Sequence, residues 1–302
     1  MSSSHDHKKD KRNKLIKINI NGKFYLRDNA KISVFDSGFL LGDGCWSGIR
    51  LHNNKLLFLK EHLERLFDDA KSIGIKIPHT KKNLSEILYK TVKINKMISD
   101  VHIRLVVSRG IKSTPYQDPS FTITPPTIVV IPEYKKPDEK LYKRGLILKT
   151  VKTIRGPHNV QDPRINSLSK LNCIMACIEA KQKKADEALM FDINGNISTN
   201  NSTHFFFIKN NTVYTSTGKY CVRGITRKNI IDICKDNKIK IIEKNFKLKE
   251  VLMADEAFVT GTFANIIPVR QINSKKFTII KNNITFKLRD LFISKINKLS
   301  KV

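Results

Sequence analysis

Two turns and one helix of this 302-residue chain hold the residue types that bind a phosphate. Gly224-Ile225-Thr226 immediately precedes a helical stretch, Arg227 to Lys235, and Gly261-Thr262-Phe263 immediately follows an apolar strand, Ala257 to Thr260. Backbone amides at a helix start, led by glycine and accompanied by a threonine hydroxyl, form a phosphate cradle. The two turns would serve one dianion if a sheet brings them together; taken singly they also read as ordinary caps. In His62-Leu63-Glu64-Arg65-Leu66, His62 and Arg65 stand three apart and share a helix face, where Arg65 alone would equally suit solvent. Asp36 to Trp46, DSGFLLGDGCW, has glycines at 38, 42 and 44, which permit a tight backbone path beside a ligand or another chain. Arg50, Arg104 and Arg109 are cations that could receive a carboxylate. Phe39 and Trp46 flank the glycine turn and could wall an apolar pocket or simply join the core.

These residues need elements to position them. Asn21-Gly22 predicts a hairpin between strands Lys17 to Ile20 and Lys23 to Leu26. A second turn at Asn53-Asn54 leads to a return strand, Leu56 to Leu59. Glu61 to Ile73 follows as a helix with Leu63, Leu66, Phe67, Ala70 and Ile73 on one face. Val101 to Ser108 and Thr127 to Ile131 read as strands. The charged, proline-bearing PEYKKPDEKLYKRG (132 to 145) separates two halves. The second half runs as strand Leu146 to Ile154, helix Ser169 to Lys184, strand Glu187 to Phe191, a turn at Asn194-Gly195, strands His204 to Ile208 and Val213 to Ser216, helix Thr226 to Lys235 and strand Ala257 to Thr260. The expected fold is α+β, with mixed α/β sheets, in two domains: a disordered basic tail at 1–14, a small N-terminal α+β domain at 15–134, a linker at 135–145 and a larger C-terminal α/β domain at 146–302.

Composition narrows the function classes. At 40% hydrophobic and 27% charged residues, the chain can bury a sizeable core, which excludes disordered tails and disulfide miniproteins. Its net charge of +29 suggests a polyanionic partner. Yet the cations are 43 Lys against 13 Arg, spread from end to end, whereas readers of nucleic acid lean on the planar fork of arginine. Specific nucleic-acid binding is therefore not expected. Five cysteines without a CxxC pair or nearby histidines signal neither zinc nor disulfides and fit a reducing compartment. The opening MSSSHDHKKDKRNK lacks the apolar core of a secretory signal, and no apolar run approaches the roughly 18 residues of a membrane span, so a cytoplasmic protein is expected.

The order and spacing of six segments resemble the class IV aminotransferases, the fold-type IV pyridoxal-phosphate enzymes that include branched-chain and D-amino acid aminotransferases and aminodeoxychorismate lyase. The segments are DSGFLLGDGCWSGIR (36 to 50), KEHLERL (60 to 66), RLVVSRG (104 to 110), KADEALMFDINGNI (184 to 197), RGITR (223 to 227) and ADEAFVTGTF (254 to 263). The resemblance implies the two-domain D-amino acid aminotransferase-like fold, pyridoxal 5′-phosphate as cofactor and a homodimer. It implies that Arg65 binds the cofactor phosphate with the amides of Ile225 and Thr226 and the hydroxyl of Thr262. It further implies a catalytic lysine between the strand at 146 and the following helix, where Lys170 stands.

The chain departs from the family pattern twice. Counted back from Glu179-Ala180, the family's lysine falls on Asn166, with Lys170 one helical turn later. A longer loop and a shorter helix would restore Lys170 to the site; neither Asn166 nor Arg164 can form a Schiff base at neutral pH. Second, where the family holds the pyridine nitrogen with a glutamate, this chain has Thr199, which cannot hold a pyridinium as a carboxylate does. The activity implied is ping-pong transamination through an aldimine on Lys170, with a branched-chain L-amino acid and 2-oxoglutarate. The Arg-Pro strand of many branched-chain enzymes is absent at 104–109, so a D-amino acid aminotransferase or a lyase-type reaction stands as the alternative, with Arg109 and Phe39 as substrate contacts. The remaining alternative is a non-catalytic basic protein that binds nucleic acid.

Overall fold

Asn21 and Gly22 both take positive φ, 49° and 84°, and close a hairpin between β1 (Lys17–Ile20) and β2 (Lys23–Leu26). The structure, a computed structural model, describes residues 3–263 and 265–300. It divides into two units, and the chain passes from one to the other between Lys136 and Pro137.

The first unit contains Lys8–Lys136 and, from much later in the chain, Ile165–Lys170. Its elements are β1, β2, the short α1 (Ser37–Leu41), β3 (Gly44–His52), β4 (Lys55–Leu56), α2 (Leu59–Ser72), α3 (Lys81–Ile94), β5 (Val101–Ser108) and β6 (Thr127–Tyr134). The strands form one antiparallel sheet in the order β2-β1-β6-β5-β3-β4. Alternation along β5 buries Val101, Ile103, Leu105 and Val107, and α2 lays Leu63, Leu66 and Ala70 into the same core. The return strand after Asn53-Asn54 is only two residues long, because Leu59 already opens α2. Lys11–Lys14, inside the expected tail, form a 3-10 turn whose Asp10 carboxylate caps Arg12 N–H at 3.0 Å.

The second unit comprises Pro137–Arg164 and Leu171–Lys298, with a short N-terminal piece ending at His7. In order it contains α4 (Lys140–Arg144), β7 (Leu146–Thr150), α5 (His158–Gln161), α6 (Leu171–Gln182), β8 (Glu187–Phe191), β9 (Ile197–Asn200), β10 (His204–Lys209), β11 (Thr212–Thr215), α7 (Ile225–Asp236), β12 (Ile241–Glu243), α8 (Leu248–Leu252), β13 (Glu256–Gly261), β14 (Asn265–Ile272), β15 (Lys275–Lys276) and α9 (Ile284–Leu299). Its mixed sheet runs β12-β11-β10-β13-β14-β7-β8-β9, with β15 on β14. The β7 to β8 crossover is parallel and carried by α6. Phenylalanines 205, 207, 246 and 263 build the core, and Phe206 stacks on Phe258 at 4.9 Å. Part of the stretch expected as linker is ordered helix, since Leu141 of α4 is buried in this core. Two domains of α+β and mixed α/β type, as the sequence predicts, are what the chain forms. No described helix is long and apolar enough to cross a membrane.

Candidate active site

In the first unit, α2 turns three polar side chains toward the sheet among its leucines. His62 and Asp69 are buried, and Arg65 is half-buried between them. The spacing 62, 65/66, 69 is one helix face, so the same periodicity that builds the core also lines up these groups. Arg65 Nη2 donates to Ser47 Oγ at 3.1 Å, and Ser47 lies 2.9 Å from His62 Nδ1. The serine oxygen accepts from the guanidinium and shares a hydrogen bond with His62 Nδ1. Burial, reinforced by the charges of Arg65 and then His102, holds the imidazole pKa well below its usual range, and His62 is neutral.

Beside this row, residues 166–168 add a strand-like stretch to the edge of β3. Trp46 N–H donates to Asn166 O at 3.0 Å, and Leu168 N–H to Gly44 O at 2.9 Å. Gly44 is required here: a Cβ would stand 2.4 Å from Val107 O and 2.7 Å from Leu168 Cδ1. Asp69 Oδ2 accepts from Asn166 N–H at 3.1 Å. Lys170, the residue before α6, sends Nζ back to Asn166 Oδ1 at 3.0 Å and 6.0 Å from the Trp46 ring centroid. The helix begins at Leu171, not at Ser169, so the loop before it is longer and the helix shorter than the sequence expectation. Arg104 lies over the same indole at 3.9 Å. The indole Nε1–H is buried without an acceptor among the described residues.

In the second unit, α7 starts at Ile225 behind Gly224, with no side chain capping its first amides. The turn before it is fixed from below: Arg155 Nε and Ser198 Oγ donate to Tyr220 O at 3.2 and 3.0 Å, and His204 Nε2 donates to Val222 O at 2.8 Å. A Cβ on Gly224 would meet His204 Cε1 at 2.3 Å, so glycine alone lets the helix start approach this ring. Ile225 and Thr226 are buried at this terminus, and Thr262 is half-buried just after β13. Thr199 on β9 is buried and donates Oγ1–H to Thr203 O at 2.9 Å. The turn after it is gathered by the buried Glu187 carboxylate, which accepts from Asn200 Nδ2, Ser202 Oγ and Thr203 Oγ1 at 3.1, 2.9 and 2.6 Å, and also from Ser4.

The first unit thus holds Arg65 and Lys170 together with Trp46 and Arg104, while Thr199, Ile225, Thr226 and Thr262 belong to the second. Two further sequence candidates, Arg109 and Phe39, lie in the first unit. Arg109 is committed: Nε and Nη2 grip Asp43 at 2.6 and 3.0 Å, and the Nη groups also donate to Ile73 O and Gly74 O at 2.7 and 3.2 Å. Phe39 is 66% exposed on α1. Ser47 and Asp69 went unnoticed in the sequence, although Asp69 stands four residues from Arg65 and seven from His62, the spacing of one face. In the second unit the helix start behind Gly224 and the threonine after β13 suit a phosphate, and in the first unit the Lys170 amine suits a carbonyl.

Residues 44–272 match the family model for amino-transferase class IV. A Methanocaldococcus jannaschii protein named as a candidate branched-chain-amino-acid aminotransferase is 36% identical over 282 residues, covering 91% of this chain and 96% of that one. The D-alanine aminotransferase of Staphylococcus epidermidis is 29% identical over 86% of this chain and 90% of its own. A branched-chain amino acid aminotransferase from a T.th. strain, solved with pyridoxamine 5′-phosphate, superposes with a TM-score of 0.86 at 26% identity over 95% of each chain.

Proposed function

The chain belongs to the class IV aminotransferases, pyridoxal-phosphate enzymes that transfer an amino group, and from that premise we propose that it moves the amino group of a branched-chain L-amino acid to 2-oxoglutarate. The cofactor supplies an electron-withdrawing ring that stabilises negative charge at the substrate Cα. Lys170 would hold it through its side-chain amine, and the free amine would hold and move the proton at the substrate Cα. Arg65 would bind the phosphate through its guanidinium; the Ile225 and Thr226 amides and the Thr262 hydroxyl are the phosphate-suited donors of the second unit. The observation that carries the assignment is the Lys170 amine, held 3.0 Å from Asn166 Oδ1 in the unit that also contains Arg65.

Thr199 sets the character of the chemistry. Its proton already goes to Thr203 O, so it can present only lone pairs to a ring N–H and contributes no full negative charge. The ring then withdraws electrons less strongly, and turnover is slower than a carboxylate would give. For the substrate, Arg104 rather than Arg109 supports binding of the second carboxylate of 2-oxoglutarate, because its guanidinium lies over Trp46 while that of Arg109 is held by Asp43. We place the enzyme in the cytoplasm as a homodimer; five free cysteines support the first, and an uncharged apolar face on α6 the second.

The likeness to D-alanine aminotransferase supports one further reading, a D-amino acid donor. A donor panel separates the possibilities. With 2-oxoglutarate as acceptor, L-leucine, L-isoleucine and L-valine are expected to form glutamate while D-alanine does not. Activity with D-alanine alone, or pyruvate released from aminodeoxychorismate without an acceptor, would replace the branched-chain assignment.

A further inference from the structure

Asn166 is engaged at each of its polar groups. Its N–H donates to the buried Asp69 carboxylate at 3.1 Å, its carbonyl accepts from Trp46 N–H at 3.0 Å, and Nδ2 donates to Trp46 O at 2.8 Å. The last bond fixes which way the side-chain amide faces, since only the nitrogen can donate to a carbonyl. Oδ1 is therefore the atom turned toward Lys170, and it accepts from Nζ at 3.0 Å. Trp46 lies in β3, which pairs with β5 from Gly44 to Leu51, so the amide is mounted on a rigid strand.

These bonds suggest what this mounting does. The Lys170 amine is hydrogen-bonded to the tip of the side chain at 166, on the β3-docked stretch where a lysine at that position would start. We propose that Asn166 is a positioning residue: its side-chain oxygen holds the Lys170 amine at the place that a lysine at position 166 would fill, so the reactive nitrogen is kept while its Cα has moved four residues along the chain. A neutral amide suits the task, because it orients the amine without the ion pair that a carboxylate would impose. This inference rests on the reading of Lys170 as the cofactor lysine.

Carbonyl capture reports the amine's position directly. As the C–N double bond forms, the C=O bond breaks, and both amine protons leave with the oxygen as water; sodium borohydride then adds hydride to the imine carbon and fixes the link. The full-length wild type, Asn166→Ala and Asn166→Lys are each exposed to pyridoxal phosphate, reduced and mapped by peptide mass. Binding of pyridoxamine phosphate, which has no carbonyl to capture, is measured in parallel. In the wild type the label is expected on Lys170. In Asn166→Ala, capture by Lys170 slows about tenfold, while pyridoxamine phosphate affinity changes by less than about twofold. In Asn166→Lys, the label moves to position 166 at the expense of Lys170; this variant decides the matter if the alanine variant does not fold.

Unchanged capture in Asn166→Ala overturns the positioning role and leaves Lys170 as the cofactor lysine. So does parallel loss of capture and pyridoxamine phosphate binding, which would mark a general structural role, or full labelling of both positions in Asn166→Lys. Wild-type label on another lysine overturns the Lys170 reading and this inference with it.

Discussion

His62 shows how a single buried side chain ties the site to stability. Its imidazole is hydrogen-bonded to Ser47 and stays neutral, whereas in the unfolded chain it titrates near 6.5. Below that pH the unfolded state binds a proton that the folded state refuses, so stability falls as pH falls. One pH unit below the unfolded value the loss is about 1.4 kcal/mol. Asn at this position keeps a hydrogen-bond partner for Ser47 without titrating. Denaturant unfolding at pH 7.5 and 5.5 should therefore show a smaller acid loss in His62→Asn than in the wild type; equal losses would mean that His62 is protonated in the folded protein. Thr199 is the complementary case. It was legible as a departure from the family pattern, but its commitment to Thr203 O depends on a turn that Glu187 gathers, and Ser202 and Thr203 stand 15 and 16 residues from that carboxylate.

At the scale of elements, the positioning of Lys170 depends on the edge of β3. Gly44→Ala would press a methyl group into the Val107 carbonyl and Leu168, so we expect a loss of about 2 kcal/mol or more in thermal or denaturant unfolding, together with weaker capture of pyridoxal phosphate by Lys170. Wild-type stability and capture in that variant would show that the 166–168 stretch does not depend on this close approach. The Asn21-Gly22 hairpin and the face of α2 were readable because each depends on local chemistry: positive φ in one, period 3.6 in the other. The docking of 166–168 on β3 was not, since 120 residues separate Trp46 from Asn166 and no pattern in either announces the pairing. Other elements were hidden for local reasons. β14 carries Pro268, which in a sequence argues against a central strand, yet it lies between β13 and β7 with Pro268 opposite Phe258. Thr80 and Asn83 form a capping box at the head of α3, a start signal weakened by asparagine in place of the usual Glu or Gln.

The whole molecule raises the question of its charge and its assembly. A net charge of +29 first suggests a polyanion, but under the proposed function the cations with an argued role, Arg65, Arg104 and Lys170, would serve small anions and an aldehyde. A copy of so basic a chain is best approached where charge is missing. On α6, residues 171–178 include no charged side chain, and Leu171, Ile174, Met175 and Ile178 are 70%, 51%, 44% and 44% exposed on one face. Sedimentation should give twice the 34.7 kDa chain mass for the wild type and a shift toward the single chain for Ile174→Glu/Ile178→Glu; an unchanged dimer in the variant would place the interface elsewhere. The central claim, transamination by Lys170, is tested most directly by following nitrogen itself. With L-leucine labelled with nitrogen-15 and unlabelled 2-oxoglutarate, the wild type is predicted to place the label in glutamate, and Lys170→Ala to leave it in leucine. Label that stays in leucine with the wild type, or that reaches glutamate equally well with Lys170→Ala, would contradict the account.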